Sequence, residues 1–123
     1  MPLSAARVLL HPPKRYALGF DGENDYVEVA DSESLRLQPP FTIEMWLYPF
    51  DDGNDKDTYR HALVKENRYV FHWDHTSSGT SFSLRGSDGT WHTLSWTGGE
   101  VLPAKRWYHI VMRYDGSVQR LMI

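Results

Sequence analysis

Residues 16–50, YALGFDGENDYVEVADSESLRLQPPFTIEMWLYPF, decide the fold. Tyr16, Leu18 and Phe20 alternate with Ala17 and Gly19, the period of a half-buried strand. Asp21-Gly22 signals a turn, and YVEVA returns with Val27 and Val29 on one face, Tyr26 and Glu28 on the other. A polar loop closes on Pro39-Pro40, and FTIEMWLY follows as the most apolar strand of the chain. Its parity separates Phe41, Ile43, Met45 and Leu47 from Thr42, Glu44, Trp46 and Tyr48.

Upstream, PLSAARVLLHPP carries one Arg and a short apolar run before two prolines, so residues 1–14 read as an arm or linker rather than a signal peptide. Downstream, the acidic loop DDGNDKDTYR leads to further short strands at HALVKEN, RYVFHW, SFSLRG, WHTLSW, RWYHIVMRY and SVQRLMI. Turns fall near Glu66-Asn67, at Asp88-Gly89 and at Asp115-Gly116. No apolar stripe of helical period persists. About nine strands punctuated by Gly, Pro and Asp predict an all-β, two-sheet antiparallel sandwich or jelly roll over residues 15–123.

Composition narrows the partners. The net charge is −3 with Lys and Arg scattered, which argues against nucleic acid or an anionic membrane. No run approaches transmembrane length. Cysteine is absent, so no disulfide framework supports the fold and the redox compartment stays open. Aromatics make up 14% of the chain, with five Trp, more large rings than one small core needs.

Three segments, ALGFDGENDYVEVADSESLRL (17–37), FTIEMWLYP (41–49) and WYHIVMRYDGSVQRLMI (107–123), together resemble the laminin G-like branch of the concanavalin A-like lectin/glucanase superfamily. The resemblance implies a jelly roll with one concave and one convex sheet. It also implies a non-catalytic module for carbohydrate or glycoprotein surfaces, often calcium-assisted, extracellular or at the cell surface, within a larger protein. An adhesion module that contacts protein without sugar is the alternative, and a glycoside hydrolase-related domain the remote one. Family members continue past the strand matching RLMI, so the domain is expected to be C-terminally truncated. The first strand and SVQRLMI would then be open edges that invite self-association. Trp46 and Trp107 fall in the shared framework pattern and read as core.

Candidate sites follow from chemistry. Sugars stack their C–H faces on exposed rings, so Trp73, Trp91 and Trp96, with His72 and Asp74 as polar neighbours, are the candidate ligand residues. Trp91 and Trp96 lie five apart and face opposite sides of a sheet. FHWDH also allows a His/Asp metal site, with His61, His92 or His109 as a further ligand, but separate surface histidines are the better reading. Calcium wants six to eight oxygens. Candidates are Asp51, Asp55 and Asp57 in the acidic loop, and Glu66 with Asn67, which resemble part of the pentraxin calcium site. Asp21 and Asp25 read instead as turn formers. Paired carboxylates for glycoside hydrolysis are missing from any one strand: Glu28 and Glu44 stand apart. Nor is there a nucleophile elbow.

Overall fold

A computed structural model describes residues 7–11, 15–51, 60–73, 79–98 and 100–123. Contacts divide the chain into Met1–Glu33 and Ser34–Ile123.

In the first unit, β1 (Arg7–His11) pairs antiparallel with β2 (Arg15–Gly19), Arg7 opposite Gly19 and His11 opposite Arg15. The segment 1–14, expected as an arm, therefore contains a strand, and the strand beginning near Tyr16, expected to lack a partner, has one. An open row of N–H and C=O groups takes up a nearby segment able to extend beside it. Tyr26–Ala30, expected as a strand, has no ladder among the described residues, and Tyr26 and Val29 are exposed. The Asp21–Asp25 loop is held as expected. The Asp21 carboxylate accepts the N–H of Glu23 at 2.9 Å and of Asn24 at 3.4 Å, and Asp25 accepts that of Asp21 at 3.1 Å.

The second unit is a sandwich of two antiparallel sheets. One has the order β3 (Phe41–Leu47), β8 (Tyr108–Tyr114), β9 (Gln119–Met122). The other runs β4 (His61–Lys65), β5 (Tyr69–His72), β6 (Ser81–Arg85), β7 (Trp91–Ser95). No α-helix occurs among the described residues.

The core follows strand parity. Ile43 opposes Met112 and Met45 opposes Ile110 in the first sheet; Tyr69 opposes Leu84 and Phe71 opposes Phe82 in the second. Phe71, Phe82, Ile110 and Met112 are fully buried, joined by Leu102 from the loop before β8. Each such side chain contributes about 1.5–3 kcal/mol by leaving water. Thr80 ties that loop to the sheet. Its N–H donates to Glu100 C=O at 2.9 Å, its C=O accepts the Trp96 N–H at 2.8 Å, and its Oγ1 accepts the Leu102 N–H at 3.1 Å. Gln119 Nε2 of β9 donates to the Phe82 carbonyl at 2.6 Å, joining the two sheets by a polar contact. Burial pushes the Tyr69 phenol up, so it stays a neutral donor, here to Leu35 C=O at 3.2 Å.

Parity also corrects the core list. Trp46 is 65% exposed and Trp107 41%, both on the side of β3 and β8 turned away from the core. They sit in register with outward residues: Trp46 opposes His109, and Trp107 precedes the inward Tyr108.

The hairpin turns match the glycine and aspartate signals. In the β6–β7 turn Asp88 Oδ1 accepts the Thr90 N–H at 2.9 Å, with Gly89 at φ 80°. In the β8–β9 turn Asp115 Oδ1 accepts the N–H of Val118 at 2.7 Å and of Ser117 at 2.9 Å, with Gly116 at φ 103°. Backbone positive φ suits glycine in both.

Two predictions follow from these contacts. Ile110→Ala should cost about 2–5 kcal/mol in urea unfolding, whereas Trp46→Ala should cost about 1 kcal/mol or less. Equal costs would refute the outward placement of Trp46. The second concerns pH. The Val118 and Ser117 N–H bonds hold the Asp115 carboxyl below the ordinary carboxylate value. A depressed folded value adds stability above the unfolded value and loses it as pH falls through the folded one. Asp115→Ala should therefore melt below the parent at neutral pH, and the gap should close in acid below the depressed value. A gap independent of pH would contradict the assignment.

Candidate functional site

The four-stranded sheet buries one face against the core, so its other face is set by the same register. Val64 opposes Val70, Val70 opposes Ser83, and Ser83 opposes Thr93. One row along, His61 opposes His72, His72 opposes Ser81, and Ser81 opposes Ser95. At the far end Arg85 opposes Trp91. This outer face is mixed in polarity where the inner face is apolar.

A β-bulge between His61 and Leu63 shapes it. By simple alternation His61 would share the inward side of Leu63. The extra residue moves it across to stand opposite His72, their ring centroids 5.6 Å apart. The Lys65–Arg68 turn is closed by the Arg68 N–H donating to Lys65 C=O at 3.0 Å, with Asn67 at φ 57°, a conformation asparagine tolerates.

An open groove of about 370 Å³ lies on this face. Val64, Val70 and His72 line its middle, Glu66 and Asn67 bound it at the turn, and Arg85 with Trp91 form its far wall. Trp91 is 40% exposed, and the Arg85 guanidinium sits 5.5 Å from its ring centroid. Beneath, Ser83 and Thr93 share a hydroxyl hydrogen bond of 2.8 Å. Fully buried Ser81 has no hydrogen-bond partner for its hydroxyl among the described residues.

The groove thus gathers His72, Trp91, Glu66 and Asn67, which the sequence had assigned to two separate candidate sites. It adds His61, weighed there only as a spare metal ligand, together with Lys65, Val64, Val70 and Arg85. The signal for His61, Val64 and Arg85 was their parity with Val70 and His72, usable only once the pairing was known; Lys65 pairs with the inward Tyr69 and had no such signal. Trp73 and Trp96 lie elsewhere: both pack against the core cluster, Trp96 from a short 3-10 turn after β7. Asp51 is exposed and ion-paired with Arg60. Asp74, Asp55 and Asp57 fall outside the described residues.

Calcium fits the described residues poorly. No cluster of three or more His, Asp or Glu side chains occurs among them. Glu66 and Asn67 supply a carboxylate and an amide, well short of six to eight oxygens.

A second set of rings lies on the outer face of the three-stranded sheet. Trp46 stacks on His109 with centroids 4.7 Å apart and planes 13° apart, and His109 Nε2 lies 3.1 Å from Glu44 Oε2. Tyr48 meets Phe50 and Trp107 edge to face, each at 5.3 Å.

A laminin G-like family model, described as the concanavalin A-like lectin/glucanases superfamily, matches residues 21–123. The chain belongs to that superfamily, which includes both lectins and glycosidases. No curated protein and no solved structure matches the chain.

Proposed function

We propose that the domain is a non-catalytic binding module that takes carbohydrate, free or on a glycoprotein, in the groove of the four-stranded sheet. The observation that carries this reading is Trp91. Its half-exposed ring stands in one groove with Asn67, Glu66, Arg85 and His61. A ring offers a stacking surface for a pyranose C–H face, while amide, carboxylate, guanidinium and imidazole groups match its hydroxyls.

The carboxylate count favours binding over hydrolysis. Glu66 is the one carboxylate among the described residues lining the groove. Glycoside cleavage uses two, about 5–10 Å apart across the scissile bond. A single shallow site of this kind binds at about millimolar strength, near −4 kcal/mol. Useful avidity then comes from several sites together.

The exposed rings of the other sheet, Trp46, Trp107 and Phe50, favour a second reading, an adhesion module that meets protein through that face. A glycan array on the full chain, with and without calcium, separates the two. Glycan signal is expected, and Trp91→Ala should weaken it at least tenfold while Trp46→Ala leaves it within about twofold. No glycan signal in either condition would sink the carbohydrate reading, and loss on Trp46→Ala alone would move the site to the other sheet.

A further inference from the structure

We propose that Arg85 is the specificity-determining residue of the groove, and that it selects glycans whose sugar in the site carries a carboxylate. Arg85 acts within the carbohydrate groove, so its role rests on that reading of the domain.

The first observation is how Arg85 is held. It ends β6 directly opposite Trp91, the first residue of β7, and strand parity puts both on the outer face with Ser83 and Thr93. The Arg85 guanidinium lies over the Trp91 ring, 5.5 Å from its centroid. The β6–β7 turn runs alongside it, since a Cβ at Gly89 would stand 3.5 Å from Arg85 Nη2. On the β5 side the Arg85 N–H donates to the Arg68 carbonyl at 2.8 Å, which fixes the backbone that carries the side chain. Ring, turn and backbone bond together hold the guanidinium at the far wall of the groove.

The second is what Arg85 lacks. Among the described residues it has no carboxylate partner. The carboxylate of the adjoining turn, Asp88, accepts the Thr90 N–H at 2.9 Å and lies 4.0 Å from His92, a residue of opposite parity to Trp91. Arginine presents five N–H donors in a planar fork and no acceptor. Resting on a ring, it satisfies part of its charge and leaves that fork for a ligand.

The third is the balance of charge. Lys65 and Arg85 line the groove against one carboxylate, Glu66, in a chain of net charge −3. The groove is more positive than the molecule around it, which favours an anionic ligand.

These features discriminate between sugars. A neutral pyranose that reaches the indole face must displace the guanidinium, and its hydroxyls give back only neutral hydrogen bonds. A pyranose with a carboxylate displaces it too, then takes it up in a bidentate, charge-assisted pair, roughly twice as strong per bond. The cation–π contact given up is weak at an exposed site. The acidic sugar therefore gains where the neutral one does not.

The test uses the full chain on a glycan array that carries each uronic- or sialic-acid glycan beside its methyl ester, a neutral ligand of the same shape. Acidic glycans should bind about tenfold or more tighter than their esters. Arg85→Gln removes the charge at similar length, and should bring the acid-to-ester ratio close to one. Arg113→Gln, exposed on β8 of the other sheet, should leave the ratio unchanged. Circular dichroism checks the fold of both variants. A second measurement needs no variant: raising NaCl from about 0.1 M to about 1 M shortens the screening length from about 10 Å to about 3 Å. The parent should then lose acidic-glycan binding several-fold and keep its binding to the esters. Equal binding of acids and esters by the parent overturns the proposal and leaves the carbohydrate reading intact. So does a preference that survives Arg85→Gln, ignores salt, or is lost equally in Arg113→Gln. Binding of neither acids nor esters overturns both.

Discussion

Phe71 and Phe82 face each other across β5 and β6, both fully buried, and most of the second unit depends on that register. A one-residue slip of β6 against β5 would turn Phe82 to the outer face and bring Ser81 and Ser83 to the core side. The loss of a buried phenyl group makes the alternative register unfavourable. The same constraint composes the outer face. Once Phe71 points inward, Val70 and His72 must point outward, and Ser83 and Ser81 stand beside them. The groove is what remains when the core has taken its residues. Its composition is therefore as well determined as that of the core.

The two sheets use this logic to different ends. In the three-stranded sheet, inward Ile43, Met45, Ile110 and Met112 leave Glu44, Trp46, His109 and Val111 outside. That face carries Trp46 stacked on His109, with Glu44 against the same imidazole, and the Tyr48, Phe50 and Trp107 rings beyond. In the four-stranded sheet the outer face holds small hydroxyls and a buried imidazole, with larger side chains only toward the turn and the Arg85–Trp91 end. A face of small residues rimmed by large ones makes a depression, and a face of large stacked rings makes a ridge. Depressions suit a small ligand that needs hydrogen bonds from several directions. Ridges of aromatic surface suit flat contact with another macromolecule.

Much of this was legible in the sequence, and the exceptions have physical causes. Alternation, turn chemistry and the absence of helical period gave the all-β sandwich, and the Asp88-Gly89 and Asp115-Gly116 turns lie where those dipeptides stand. The parity of FTIEMWLY already put Trp46 with Glu44 on the outward side. The core assignment came from the family framework pattern, which records that a position is shared without saying which face it serves. Pairing partners were harder. β2 accepts β1 from a segment that looked like an arm, because a five-residue strand running straight into two prolines shows too little pattern to stand out. The groove was half visible. Glu66, Asn67, His72 and Trp91 had each been singled out, for unrelated reasons. That they share one face depends on which strands pair, and that Trp73 and Trp96 do not depends on where β5 and β7 end. Neither is encoded within a single strand.

The bulge in β4 is the hardest of these features to read and the most consequential for chemistry. A period-two reading of HALVK places His61, Leu63 and Lys65 on one side, and nothing in those five residues announces a break. The break becomes understandable only with both neighbours in place. Ala62 and Leu63 both contact the core cluster, so the strand keeps two consecutive residues inward and the next outward residue on the N-terminal side is His61. Alanine is small enough to enter beside leucine without displacing Phe71, which a bulkier residue would do. Packing thus selects the bulge, and the bulge selects the neighbour of His72. A side chain usable for chemistry is delivered to the groove by an adjustment of the core on the other face of the same sheet.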